Sequence, residues 1–287
     1  MLRLLLTATC SLAIAFGLVG QALDSLPEVV AGEYRVRRDV AYVEAPADPY
    51  RRERAVLDLY WPAAPPAAGQ PLVVWLHGGG LTGGAKHLPS GLRRRGFAVA
   101  SVEYRLAPRA AVTEIIDDAA AAVAWALDSA AAFGTPPGGV FVAGHSAGGY
   151  LASMIAMDTL RLGRHGHHPS ELGGVAPLSG HAVTHFTERA ARGIPGERVV
   201  ADSLAPIFHV RAGRTPPLLL VTGDRELELL GRYEENALFY RMLRVAGDER
   251  VGLHELGGYG HGVVEPALPI VVAWIRALAG GAQAVTE

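Results

Sequence analysis

A serine stands between a short apolar run and a helical pattern in residues 140–150, VFVAGHSAGGY. The run begins with apolar or small residues, as a buried parallel strand does, and residues 150–157 (YLASMIAM) favour a helix. Between them Gly144, Ser146 and Gly148 fit the pattern G-x-S-x-G, whose small residues let the chain turn sharply. This context predicts that Ser146 is an exposed nucleophile rather than only a serine at the start of a helix.

Strand-like and helix-like patterns alternate along the rest of the chain. Half-exposed alternation at residues 34–43 and 54–60 predicts two antiparallel strands at the start. Buried strands are predicted at residues 72–76, 140–143 and 218–221, and further strands at residues 97–102, 174–178 and 251–256. Helices are predicted near residues 88–95 and at 113–133, 150–157, 233–246 and 263–278. This order predicts an α/β fold in which a mostly parallel sheet is flanked by helices, with residues 181–217 as a small covering insert.

The N-terminal segment differs from the remainder. Arg3 is followed by an apolar run over residues 4–19, and Gly20-Gln21-Ala22 offers a small-residue cleavage site. We therefore predict a signal peptide at residues 1–22, an exported protein, and a single domain over residues 23–287. Retention of the segment as an anchor is the alternative. Cys10 is the one cysteine of the chain, so cleavage would leave neither a disulfide nor a catalytic thiol.

Composition narrows the range of partners. The formal net charge of the 287 residues is -2, and no basic run or acidic tail occurs. We therefore expect no nucleic-acid partner and no stable membrane partner. The oligomeric state is left open.

A glycine-rich stretch follows the first buried strand, at residues 77–80 (HGGG). Glycines allow bare backbone amides to approach a substrate oxygen, so we expect Gly79, Gly80 and Ala147 to form an oxyanion hole. HGGG followed by G-x-S-x-G is a combination typical of lipases and esterases with the α/β-hydrolase fold.

His261 is the candidate base, because it lies in a glycine-rich loop (GGYGHG, residues 257–262) after the last predicted strand. The resulting order of serine, acid and histidine matches α/β-hydrolases. His254 is expected to be structural. The histidines at positions 165, 167 and 168 are interpreted as a solvated loop, with a metal site as the alternative. No metal or cofactor is predicted.

The acid should follow the strand predicted at residues 218–221, where the chain reads TGDRE (222–226). In many α/β-hydrolases this loop carries the pattern G-x-x-D, which here places Glu226 in the acid position. Asp224 would then shape the turn. Asp224 remains the alternative acid.

Several segments extend the likeness. HGGG (77–80), YRLAP (104–108) and GHSAGG (144–149) resemble markers of the hormone-sensitive-lipase-like esterases. A more specific resemblance, to the bifunctional acetylxylan/feruloyl esterases, runs from about residue 54 to about residue 274. It is carried by HGGGLTGG (77–84), DDAAAAVAW (117–125), SGHAVTHF (179–186) and TGDRELELLGRYEEN (222–236).

This resemblance implies deacylation of xylan-type polysaccharide, with acetyl or feruloyl groups removed, or hydrolysis of small esters. Within the insert, His181, His185 and Phe186 are the candidate substrate contacts, and packing of the loop is the alternative role. Two other functions remain open. One is an arylformamidase-like amide hydrolase, and the other is a non-catalytic ligand-binding protein built on a hydrolase fold.

Overall fold

The computed structural model describes residues 29–31, 34–64, 69–213 and 215–283. The predicted signal peptide at residues 1–22, with Cys10, lies outside them. None of the helices in these ranges has the length and apolar character needed to span a membrane.

Nine strands of the described residues form one sheet in the order β1-β2-β3-β5-β4-β6-β7-β8-β9. The strands are β1 Val29–Ala31, β2 Tyr34–Ala41, β3 Val56–Pro62, β4 Leu72–Leu76, β5 Ala98–Val102, β6 Val140–His145, β7 Gly174–Leu178, β8 Leu218–Gly223 and β9 Val251–Leu256. The pairs from β1 to β5 are antiparallel, and β5, β4, β6, β7, β8 and β9 run parallel. The carboxyl ends of the parallel strands therefore meet at one edge, where loops can bring distant residues together.

Helices cover both faces of this sheet. They are α1 Pro49–Arg54, α2 Val112–Ser129, α3 Ala147–Met157, α4 Thr159–Gly163, α5 Phe186–Ala191, α6 Arg232–Val245 and α7 Val264–Gln283. Alternate residues of each strand point to opposite faces, so the apolar runs of the central strands supply two cores. Leu72, Val74 and Leu76 of β4 share a core with α2, α3 and α6, whereas Val73 and Trp75 pack with α7.

The predicted α/β architecture is confirmed, with differences in the connections. The helix expected near residues 88–95 is only a 3-10 turn at Ser90–Leu92. Proline at 89, glycines at 91 and 96, and a positive φ at Arg94 interrupt the helical pattern there. The structure adds α1, which begins after Asp48, whose side chain accepts a hydrogen bond from the Tyr50 amide.

Candidate active site

Ser146 occupies a sharp turn between β6 and α3. Its backbone is left-handed, with φ 56° and ψ -114°, which is disfavoured for any residue other than glycine. The turn depends on the two flanking glycines. A Cβ atom on Gly148 would stand 2.1 Å from the carbonyl oxygen of Leu76, and one on Gly144 would stand 2.5 Å from the Gly148 carbonyl oxygen. The predicted strand, turn and helix around Ser146 are therefore all present.

A chain of two hydrogen bonds extends from Ser146. The distance between Ser146 Oγ and His261 Nε2 is 2.8 Å, and that between His261 Nδ1 and Glu228 Oε1 is 2.7 Å. The His261 side chain is 27% exposed and that of Glu228 is 1% exposed. A ring open to substrate on one side and held by a buried carboxylate on the other is suited to move a proton.

Glu228 is surrounded by hydrogen-bond donors. Ser179 Oγ donates to Oε2 over 2.5 Å and the Gly223 amide donates over 3.1 Å, while the Leu229 amide donates to Oε1 over 2.9 Å. Burial would raise the pKa of Glu228, but the hydrogen bonds from His261, Ser179 and the two amides outweigh burial and lower the pKa to about 2. The carboxylate is therefore ionised at neutral pH and can hold the Nδ1–H tautomer of His261.

The assignment of Glu226 as the acid is wrong in this geometry. His261 Nδ1 faces Glu228, whereas Glu226 is exposed and the Asp224 carboxylate accepts hydrogen bonds from backbone amides. Asp224 caps the turn instead, because its carboxylate accepts hydrogen bonds from the amides of Glu226, over 3.0 Å, and Gly258, over 2.8 Å. Those two hydrogen bonds lower the pKa of Asp224. The turn-forming role expected for Asp224 is therefore present, and its alternative role as acid is not.

Glu228 lies further along the chain from β8 than the predicted acid Glu226, and the cause is local. β8 continues to Gly223, and the chain then makes a helical turn in which the Glu228 amide donates to the Asp224 carbonyl over 2.7 Å. This turn places the Glu228 carboxylate within hydrogen-bond distance of His261. The pattern G-x-x-D assumes a shorter turn. The sequence has a third carboxylate in this segment, at position 228, and that residue was the signal from which the acid could have been identified.

The HGGG loop lies beside the serine. A Cβ atom on Gly78 would be 3.4 Å from Ser146 Cβ, and Gly79 and Gly80 both have positive φ values, of 124° and 65°. Within the described part of the chain, no group accepts a hydrogen bond from the amides of Gly79, Gly80 or Ala147. These three N–H groups are therefore available to a substrate oxygen, as an oxyanion hole requires.

His77, the first residue of this loop, is buried and holds the loop in place. Its ring is 1% exposed, stacks on Tyr104 with 4.2 Å between ring centres, and lies 2.9 Å from Glu103 through Nε2. Tyr104 also donates a hydrogen bond of 2.6 Å to the His77 carbonyl oxygen. His77 therefore fixes the path of the glycines and does not itself reach the serine.

The three predicted substrate contacts separate into two groups. Phe186 is 41% exposed, and its ring edge comes within 3.1 Å of where a Cβ atom on Gly80 would stand. His181 and His185 are buried next to it, at 7% and 0% exposure, and burial lowers the pKa of each ring. The geometry leaves Phe186 as the one of the three that is exposed to a ligand, with the two histidines packed behind it.

His145, the residue before the serine, contacts the base. Its Nε2–H donates to the His261 carbonyl oxygen over 2.8 Å, and the two rings lie 4.8 Å apart. Burial lowers the pKa of His145 to about 4, so the ring is neutral at pH 7 and can make this hydrogen bond. Sequence reasoning did not assign His145 a role.

The histidines at positions 165, 167 and 168 do not gather into a metal centre. His167 contacts Asp128 and Glu171, whereas His168 caps a 3-10 turn through the Ser170 amide. Across the described ranges there is no group of three or more His, Cys, Asp or Glu side chains placed to hold a metal ion.

Comparisons with known proteins place the chain among esterases. A family model described as BD-FAE matches residues 57–168. Esterase LipI of Mycobacterium tuberculosis is 36% identical over 152 residues, which are 50% of this chain and 45% of LipI. Carboxylesterase NlhH of the same species is 30% identical over 233 residues, which are 75% of this chain and 73% of NlhH. The matched part of the chain thus spans less than half of LipI and nearly three quarters of NlhH.

A solved structure shows the same fold. A truncated carbohydrate esterase from gut microbiota superimposes with a TM-score of 0.70 at 17% identity, covering 88% of this chain and 100% of that one. At this level of identity the likeness concerns the fold alone.

Proposed function

We propose that this chain, which belongs to the α/β-hydrolase esterase family of its relatives, is a serine esterase that hydrolyses carboxylic esters through an acyl-enzyme. The observation that carries the proposal is the unbroken pair of hydrogen bonds from Ser146 to His261 and from His261 to Glu228. A serine hydroxyl is a weak nucleophile, so it needs a base in contact and a carboxylate that orients the base. All three groups stand in contact here.

In the proposed reaction, His261 Nε2 takes the proton of Ser146 as Oγ attacks the ester carbonyl carbon. Negative charge then collects on the former carbonyl oxygen, where the amides of Gly79, Gly80 and Ala147 can donate to it. His261 returns its proton to the departing alcohol, which leaves an acyl group on Ser146. Water then attacks the acyl carbon while His261 takes its proton, and His261 gives that proton to Ser146 Oγ as the carboxylic acid leaves. Glu228 remains ionised throughout and stabilises the imidazolium.

We further propose that the substrates are acetyl or feruloyl esters of xylan-type polysaccharide. One finding supports a carbohydrate ester: the BD-FAE match over residues 57–168, in the region where the sequence resembles the acetylxylan/feruloyl esterases. Phe186 supports an aromatic acyl group, because its partly exposed ring lies against the Gly80 backbone. A polymer substrate would also suit export through the predicted signal peptide at residues 1–22, which we retain as a proposal.

The test compares purified wild-type protein with Ser146→Ala on methyl ferulate, acetylated xylan and N-formylkynurenine. We expect hydrolysis of at least one of the first two substrates. Because triad members act as a unit, we expect kcat to fall by about 10⁴–10⁶ in the variant. Thermal unfolding of the variant should match wild type, since only one oxygen is removed.

Two outcomes would change the proposal. Retention of a tenth of the wild-type activity by Ser146→Ala would rule out the serine mechanism. Cleavage of N-formylkynurenine alone would replace the polysaccharide ester with an arylformamide as the substrate class.

A further inference from the structure

We propose that Ser179 is a positioning residue for the reaction, acting through Glu228, and this inference rests on the proposed serine-esterase function. Ser179 directly follows β7, and its hydroxyl donates to Glu228 Oε2 over 2.5 Å. It touches neither Ser146 nor His261 through any side-chain hydrogen bond in the described structure. Its effect on the reaction must therefore pass through the carboxylate.

The two oxygens of Glu228 have separate partners. Oε2 receives Ser179 Oγ–H and the Gly223 amide, whereas Oε1 faces His261 Nδ1 and the Leu229 amide. A carboxylate can rotate about its terminal bond with little resistance. Donors on Oε2 oppose this rotation and keep Oε1 directed at the imidazole. Two of the four donors are backbone amides and a third is His261 itself, so Ser179 is the remaining side-chain donor.

The backbone at Ser179 indicates that its side chain is needed. The residue is fully buried and has a φ of 47°, a left-handed conformation in which glycine would be less strained. Its amide donates to the Val221 carbonyl over 2.7 Å, which ties the turn after β7 to β8. Serine in place of glycine adds only the hydroxymethyl group, and that group is bonded to Glu228.

Arg232 holds this turn from the other side. Its guanidinium is buried and donates to the Ser179 carbonyl oxygen and, over 2.8 Å, to His181 Nε2. Glu235 accepts from Arg232 Nε over 2.9 Å and also contacts His181 Nδ1 over 2.8 Å. The start of α6 therefore fixes the position of Ser179, and His181, predicted to contact substrate, belongs to this support.

The experiment uses Ser179→Ala and Ser179→Gly, with Ser101→Ala as the matched control. Ser101 is also fully buried, and its hydroxyl donates over 2.7 Å to the His87 carbonyl, away from Glu228. Loss of a hydrogen bond to a charged group should lower kcat about 10- to 100-fold in both Ser179 variants, with KM unchanged. Ser101→Ala should keep the wild-type kcat. Glycine accepts the left-handed backbone, so a folded variant without the hydroxyl is available.

A double-mutant cycle with Glu228→Gln shows whether the effect passes through the carboxylate. We expect Ser179→Gly to change kcat less than threefold in the Glu228→Gln background. Full multiplication of the two losses would overturn the positioning role, as would a kcat within twofold of wild type in both single Ser179 variants. In either case Ser146→Ala still reports on the serine mechanism separately, because only its retained activity would contradict that mechanism.

Discussion

At the scale of single residues, the three carboxylates of the loop after β8 have different surroundings. The Glu228 carboxylate is buried and hydrogen-bonded to His261, whereas that of Asp224 accepts hydrogen bonds from backbone amides. In the described structure the side chain of Glu226 forms a hydrogen bond neither with His261 nor with those amides. Of the three carboxylates, the one at position 228 is therefore the one placed to orient the imidazole and to stabilise its protonated form. The three positions therefore offer a test in which variants of similar chemistry differ in their place in the fold.

We expect Glu228→Gln to lower kcat by up to about 10⁴, because the amide keeps the shape but removes the charge and can select the wrong histidine tautomer. Glu226→Gln should stay within a few-fold of wild type. Asp224→Asn should cost mainly stability, since it weakens a turn. Steady-state kinetics and urea unfolding on the three variants check these expectations. A larger kcat loss for Glu226→Gln than for Glu228→Gln would reverse the assignment.

The sequence could predict Ser146 and His261 but not the acid, and the difference is physical. Ser146 is placed by a motif whose glycines have no room for a Cβ atom, so the local sequence determines the turn. Glu228 is placed by a helical turn that depends on hydrogen bonds to Ser179 and to the loop at residues 257–260. Those partners are distant in sequence, so spacing from Gly223 alone could not locate the acid.

At the scale of elements, the strands were predicted closely because buried parallel strands have continuous apolar sequences. The runs at residues 72–76 and 174–178 match β4 and β7 residue for residue. The strand predicted at residues 251–256 also matches β9, although Val251 is the one buried residue of that strand. The short helix α5 was not predicted, since six residues carry too little periodicity to detect. It is nevertheless the element that meets the HGGG loop, because Thr187 Oγ1 donates to the Gly80 carbonyl over 2.5 Å.

We expect Thr187→Val to lower kcat several-fold and stability by about 1 kcal/mol, since it removes one hydrogen bond while keeping the shape. The kinetic effect follows because the Gly80 carbonyl and the neighbouring amides move as one loop. Thr135→Val is the control, because Thr135 is buried and its hydroxyl has no hydrogen-bond partner in the described structure. Equal kcat values for wild type and Thr187→Val would show that α5 does not hold the oxyanion loop.

At the scale of the whole molecule, buried histidines link stability to pH. Burial lowers the pKa of His145 to about 4 and also lowers those of His181 and His185. In the unfolded chain a histidine has a pKa near 6.5. The unfolded state therefore binds more protons as pH falls below about 6.5, and the free energy of unfolding decreases. For His145 this loss is complete near pH 4.

Glu228 acts at lower pH. Its pKa is about 2 in the folded chain, below its usual value, so its stabilisation is present above the usual value and lost as pH falls toward 2. As the pH falls, the buried histidines therefore reduce the free energy of unfolding first, and protonation of Glu228 reduces it further at lower pH.

We expect urea unfolding of wild-type protein to show stability decreasing steadily from pH 6.5 to 4. His145→Gln keeps an N–H donor but removes the titration, so it should reduce the loss over that range by on the order of 2–3 kcal/mol. A wild-type stability that is flat between pH 6.5 and 4 would contradict the buried-histidine account.

The order of strands in the sheet also affects when activity can arise during protein synthesis. Ser146 and His261 are 115 positions apart, and the loop that carries the histidine follows β9, an edge strand paired with β8. A growing chain emerges from the ribosome with its N-terminal part first. The serine turn and the Glu228 loop are therefore made well before the base. Until β9 adds to the sheet, Ser146 has no partner to remove its proton, so a partly synthesised chain is expected to be inert toward esters.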